Sequence, residues 1–151
     1  MDRLLYFRFA ADALPPIRAL PNSIGYDVHA YLKTESGRST HKSIGAQMTC
    51  AVRTGICVIP PPNHCILVCS RSGLAAKGVF VANAPGVIDP DYTGELIVLL
   101  CNTGWDLYHV RHEDRIAQLL LLPRPATPEV AEATHLPGTD RGGRGFGSTG
   151  R

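Results

Sequence analysis

The sequence predicts an all-β protein, a jelly-roll-like barrel or sandwich with a flexible C-terminal arm, and three observations carry that expectation. Fifteen glycines and twelve prolines are scattered over 151 residues, more than one residue in six against about 12% in an average chain, so long helices have little room. Short β-type runs fill the gaps, at residues 4–9, 55–60, 64–69, 96–102 and 116–122. Turn chemistry returns about every ten residues, the spacing of sandwiches and small barrels.

The first run, 4–9, is apolar and aromatic apart from Arg8. The runs 55–60 and 64–69 are separated by Pro60-Pro61-Pro62-Asn63, which cannot continue a strand because proline donates no hydrogen bond to the ladder. Further along, Gly86-Val-Ile-Asp-Pro-Asp-Tyr-Thr-Gly94 joins two apolar runs through a polar turn. It reads as a hairpin with Asp89, Asp91 and Tyr92 near its tip. The run 96–102 ends at Asn102-Thr103-Gly104, another turn signal. Residues 105–122 form a stretch free of Gly and Pro and long enough for a sizeable helix, yet the cluster His112-Glu113-Asp114 at its centre reads as a turn between two strands. From Pro123 the composition shifts to Pro, Thr, Glu and Ala and then to a glycine-rich end. That segment lacks the apolar content to fold alone. The expected division is a barrel domain at 1–125 and an arm at 126–151.

Size and charge narrow the function. A chain of 151 residues fits one domain that buries roughly two-thirds of its unfolded surface. A net charge of +2 is too small for an electrostatic grip on nucleic acid or an anionic membrane. Neither partner is therefore expected. Cys50, Cys57, Cys65, Cys69 and Cys101 are odd in number and contain no Cys-x-x-Cys pair, which argues against a disulfide framework or a zinc knuckle. Most sit in apolar runs, as reduced core thiols do. No run approaches the roughly 18 apolar residues of a membrane span, so the expected setting is intracellular, the cytoplasm with the nucleus also open. His29, His41, His64, His109, His112 and His135 show no metal-binding spacing and read as surface or core residues. Trp105 and Tyr108 read as packing around a turn.

Several segments hold groups suited to phosphate chemistry. Arg141-Gly-Gly-Arg-Gly-Phe-Gly-Ser-Thr-Gly150 combines guanidinium groups, hydroxyls and an aromatic ring among glycines, a set able to wrap phosphate oxygens while Phe146 stacks on a base. It is not a P-loop, because no lysine follows the glycines. Arg71-Ser72-Gly73 follows an apolar run, and Gly25-Tyr26-Asp27 lies near the start. Gln118 interrupts the apolar run 116–122. A buried amide is costly unless paired, so it is either a satisfied core group or faces a ligand.

Taken together and in order, Ser23-Ile-Gly-Tyr-Asp-Val-His29, Ser70-Arg-Ser-Gly-Leu-Ala-Ala76, Gly86 to Gly94, Asp114-Arg-Ile-Ala-Gln-Leu119 and Arg141 to Gly150 resemble the five ordered motifs of trimeric dUTPases. The resemblance runs over residues 20–150. It implies hydrolysis of dUTP to dUMP and pyrophosphate, which limits uracil incorporation into DNA and supplies dUMP for thymidylate synthesis. It also implies a Mg²⁺ cofactor and a homotrimer whose sites each draw on three chains. By the same resemblance Asp89 activates the water that attacks the α-phosphorus, and Asp27 holds the metal through coordinated waters. Gln118 places the α-phosphate and the water, and Ser72 and Arg71 act on the phosphates, Arg71 being able to pair with Asp89. Gly73 belongs to the same phosphate-binding motif. Asn83 and the main chain of Gly86, Val87 and Ile88 read uracil, and Tyr92 packs under the deoxyribose. Arg141, Phe146, Gly147, Ser148 and Thr149 close over the bound nucleotide.

The chain departs from the pattern in places. Ile24 stands where Ala is usual, and Cys69-Ser70 replace Ala-Pro. Pro85 removes an amide from the first arm of the hairpin, and Arg144 replaces a glycine. Two other readings remain alongside. One is dCTP deaminase, which needs a glutamate where this chain has Leu99 and an arginine where it has Ala76. The other is a non-catalytic interaction module that keeps the fold.

Overall fold

The apolar run around Gln118 is the spine of the molecule. It forms the longest strand, β11 (Arg115–Pro123), which pairs with β2 (Tyr26–His29) on one edge and with β6 (His64–Cys69) on the other. Strand β8 (Gly86–Ile88) adds to the far edge of β6, completing a four-stranded sheet in the order β2-β11-β6-β8. A second sheet places β9 (Ile97–Asn102) between β4 (Met48–Arg53) and β7 (Val79–Val81). Two ribbons, β1 (Leu5–Arg8) with β5 (Ile56–Ile59) and β3 (His41–Ile44) with β10 (Tyr108–Arg111), complete the strands. All these pairings are antiparallel, and a single helical turn, α1 (Ser72–Ala75), follows β6. The computed structural model describes residues 3–124, 126, 130–135 and 138–139.

Alternation builds the core. Val98 and Leu100 of β9 point inward while Ile97 and Leu99 stay exposed, and Ile66 and Val68 do the same on β6, the period-two pattern of a sheet with one packed face. The inner faces of the sheets meet in one cluster that includes Val28, Val52, Ile66, Leu100, Ile116 and Leu119. Each such side chain contributes about 1.5–3 kcal/mol by leaving water. The jelly-roll expectation is met, with almost no helix.

The five expected strands are present within a residue or so of their expected ends. Residues 105–122 resolve in favour of two strands, β10 and β11. Between them Glu113 takes the left-handed conformation (φ 67°) and the Asp114 carboxylate accepts the Arg111 amide at 2.8 Å, a local side-chain turn that ends a helix before it can begin.

Three expectations are corrected. The segment Gly86 to Gly94 is not a hairpin between its own flanking strands, because β8 pairs with β6 while β9 pairs with β4 and β7. The hairpin is wider: β7 and β9 are its arms, the Ala82 amide donates to the Leu99 carbonyl at 2.8 Å, and the intervening loop crosses from one sheet to the other. The cysteines are free, but only Cys57 is fully buried. Cys65 and Cys69 lie on the outer face of β6, opposite to Ile66 and Val68. Trp105 does not pack around its turn, being 86% exposed, whereas Tyr108 does rest against the core.

Candidate active site

Sheet register brings the first group of candidate residues together. Gln118 on β11 lies directly opposite Asp27 on β2 and Cys69 on β6, and residues opposite one another across antiparallel strands project to the same face. The main chain of Asp27 is fixed on its other edge by Ile17, whose carbonyl accepts the Asp27 amide at 2.7 Å and whose amide donates to the Asp27 carbonyl at 3.2 Å. The end of β6 then delivers Ser70 and Arg71, and α1 begins with Ser72 and Gly73. These elements border a groove of about 590 Å³ lined by Gly25, Asp27, Arg71, Ser72, Gly73 and Gln118, among others.

Inside the groove the Asp27 carboxylate is claimed twice. Its Oδ1 accepts from Arg71 Nε at 2.8 Å and its Oδ2 from Arg115 Nη1 at 3.1 Å, while Arg71 Nη1 donates to the Arg115 carbonyl at 3.2 Å. Within one chain Arg71 pairs with Asp27, while Asp89 lines a separate depression. Asp27 is buried, and two guanidinium groups compensate its charge. The trio leaves one positive charge in excess, which suits an anionic ligand. Arg115 was not among the candidates, because a charged residue at the mouth of an apolar strand looks like an ordinary solvated strand end. The carboxamide of Gln118 donates from Nε2 to the Ser70 carbonyl at 2.9 Å. This uses one of the two amide hydrogens and holds the carboxamide at the edge of the groove. His29, two residues from Asp27, is also buried. Burial holds its imidazole below the ordinary value of 6.5, an effect the neighbouring Asp27 carboxylate opposes and Arg115 reinforces.

A second group stands apart. Val87, Ile88, Asp89 and Tyr92 line a separate depression of about 210 Å³ with Leu96 and Ile97, which shares no lining residue with the groove. Tyr92 is held by its own loop: its amide donates to the Asp89 carbonyl at 3.1 Å and its hydroxyl to the Glu95 carbonyl at 2.9 Å. The Glu95 carboxylate accepts the Gly55 amide at 2.7 Å and Arg53 Nε at 3.0 Å, which ties this loop to the β4–β5 turn. Asn83 and Gly86 lie side by side at the root of the loop. One chain thus brings Asp27, Arg71, Ser72, Gly73 and Gln118 to one place and Asp89 and Tyr92 to another. Arg141, Arg144, Phe146, Gly147, Ser148 and Thr149 lie outside the described residues. A larger depression of about 710 Å³ beside His41, His109 and Arg111 contains none of the candidates. Among the described residues no three His, Cys, Asp or Glu side chains are placed to hold a metal ion, and no helix is long and apolar enough to cross a membrane.

Comparison with known proteins places this geometry in context. A sequence model of the dUTPase family matches residues 13–150. The chain is similar to the deoxyuridine 5'-triphosphate nucleotidohydrolase of Fowl adenovirus A serotype 1, with 38% identity over 148 residues that cover 98% of this chain and 78% of the relative. Among solved structures it resembles a mutant dUTPase of Staphylococcus bacteriophage 80alpha with dUpNHpp, with a TM-score of 0.85, 22% identity and complete coverage of both chains. It also resembles a mutant dUTPase from phage phi11 of S. aureus, described with a structural Mg(II) ion, with a TM-score of 0.76 and 20% identity over 91% of this chain and 100% of that one.

Proposed function

The chain belongs to the dUTPase family, and on that premise we propose that it hydrolyses dUTP to dUMP and pyrophosphate at a site assembled from several copies of itself. The observation that carries the reading is the groove in which Asp27, Arg71, Arg115, Ser72 and Gln118 converge with an excess of positive charge. Neither alternative weighed from the sequence, dCTP deaminase or a non-catalytic module, has an observation in its favour.

In this mechanism the oxygen of a water molecule attacks the α-phosphorus in line, and its proton passes to the Asp89 carboxylate. The bond from the α-phosphorus to the bridging oxygen breaks, and pyrophosphate leaves with the electron pair. Gln118 and Ser72 hold the phosphate oxygens, Gly73 leaves room for them, and Arg71 favours the charge growing on the leaving group. Asn83 and the main chain of Gly86, Val87 and Ile88 bind the uracil edge. Tyr92 excludes a 2′-hydroxyl.

The donor set fits Mg²⁺ in one manner only. With one carboxylate lining the groove, already bridged by two arginines, the chain would hold the ion from Asp27 through water, with no direct protein ligand. When bound, the ion neutralises triphosphate charge.

Because Asp89 and Tyr92 line a depression separate from the groove of their own chain, the reading requires a homotrimer in which the loop of one subunit faces the groove of another. Residues 1–125 form the barrel in this assembly. Residues 126–151 act as the arm, with Arg141, Phe146, Gly147, Ser148 and Thr149 closing over base and γ-phosphate.

The test is a substrate panel of dUTP, UTP, dTTP and dCTP with Mg²⁺, assayed for pyrophosphate and the nucleoside monophosphate. Turnover of dUTP alone is expected. Folded protein without dUTP turnover would refute the activity, and equal turnover of UTP would refute the role of Tyr92.

A further inference from the structure

Ser70 touches Gln118 of the groove and Val81, the residue that opens the turn holding Asn83. Its main-chain carbonyl accepts Gln118 Nε2 at 2.9 Å. Its side-chain hydroxyl accepts the amide of Val81 at 2.9 Å. Val81 is the last residue of β7, fully buried, and it opens the tight turn in which the Ala84 amide donates back to the Val81 carbonyl at 3.1 Å. Asn83 lies inside that turn, with its side-chain nitrogen against Gly86, and Gly86 in turn pairs with Val68 of β6, two residues before Ser70. The path from Gln118 to Asn83 is therefore short and made of hydrogen bonds: carboxamide to Ser70 carbonyl, then Ser70 hydroxyl to Val81 amide, then the turn.

The hydroxyl matters because the Val81 amide has nowhere else to go. The pairing of β7 with β9 uses its opposite edge at this point, as the Ala82 amide donating to Leu99 shows. A buried main-chain donor without a partner is strongly disfavoured. Removing the hydroxyl would therefore move the turn, and moving the turn moves Asn83.

We infer that Ser70 is a positioning residue that holds the base-reading turn at Asn83 in fixed relation to Gln118. The inference rests on the function proposed above. Ser70 touches no reacting atom. Its carbonyl steadies a group of the phosphate groove, and its hydroxyl steadies the root of the loop that serves the base. In the trimer this same residue would couple the geometry of one site to that of its neighbour.

The experiment compares S70A and S70T with the unmodified full chain, assembled, with dUTP and dCTP as substrates and kcat and KM measured separately. S70A keeps the carbonyl and loses the hydroxyl. Its KM for dUTP should rise about tenfold and its preference for dUTP over dCTP should fall, with kcat within about twofold of the unmodified protein. S70T, which keeps a hydroxyl, should restore both. Unchanged KM and preference in a merely less heat-stable S70A would overturn the inference. If S70A fails to fold, hydrogen exchange in the unmodified protein decides: a protected Val81 amide supports the bond, and an amide that exchanges as fast as an exposed loop removes it. Absence of dUTP turnover in the unmodified chain would instead count against the proposed function, with the Val81 amide still reporting on Ser70.

Discussion

A methyl group at position 25 would lie 2.4 Å from Oε1 of Gln118, so Gly25 and the Gln118 carboxamide share a space that only one of them can fill. Nε2 of the same carboxamide is bonded to the Ser70 carbonyl, and Cδ and Cβ of Gln118 would also lie within 3.4 Å of the added methyl, so moving Oε1 clear disturbs that bond. G25A should therefore lower kcat/KM for dUTP by about 100-fold, the scale of a one-ångström misplacement, while leaving the β-sheet circular dichroism unchanged. Full activity in G25A would show that the carboxamide does not need its observed position.

Replacing Asp89 by Asn keeps the shape of the loop and removes the carboxylate proposed to accept the proton. A loss of at least about 100-fold in kcat, with KM little changed, is expected. Single-turnover measurement of pyrophosphate release checks it, and undiminished kcat would assign the base elsewhere.

Arg115 is half exposed where it meets Asp27, and the buried carboxylate keeps Arg71 as a partner without it, so loss of this ion pair costs little stability, about 1 kcal/mol. Its effect should appear in binding. R115M should leave the melting temperature within a few degrees and raise KM for dUTP by about tenfold through lost positive charge in the groove. A large drop in melting temperature with normal KM would make Arg115 a purely structural residue.

D89N and Q118A disable different groups that one chain keeps apart. If sites form between subunits, unfolding and refolding an equal mixture of the two inactive variants should recover about a quarter of normal site activity, because some sites then receive both intact residues. No recovery in properly mixed trimers would mean that each chain carries a complete site.

The buried His29 makes stability depend on pH. Its folded pKa lies below the ordinary 6.5 because burial disfavours the charged ring. The unfolded chain therefore binds a proton first as pH falls. Stability contributed by the neutral ring is complete above the ordinary value and declines through the acid side, down to the folded pKa. Thermal melting between about pH 7 and pH 5 should show this loss, and H29Q should flatten the profile. A slope unchanged in H29Q would place the titrating group elsewhere.

Much of this was legible in the sequence where one residue type is forced by local physics. Proline triplets and asparagine turns end strands wherever they occur, so the ends of β6 and β9 could be read directly. Gln118 was conspicuous because an amide in an apolar run needs a partner. Ser70 gave no such signal, since its role exists only through Val81 and Gln118, residues distant along the chain. Strand β3 was missed because three of its four residues are exposed and polar, which erases the alternation that marks a half-buried strand. The loop at Asp89 was misread for a different reason. Apolar runs on either side of a turn look alike whether they pair with each other or with separate sheets, and only the pairing of β8 with β6 decides between them.

The double claim on Asp27 also bears on how the enzyme parts with what it makes. Two guanidinium groups held around one carboxylate fix the local charge before any nucleotide arrives, so affinity rises with the ligand's own negative charge. A triphosphate should be gripped more firmly than the monophosphate left after cleavage, which carries fewer charges. Added salt should therefore weaken retention of substrate more steeply than retention of product, so that ionic strength sets how strongly dUMP competes during steady turnover.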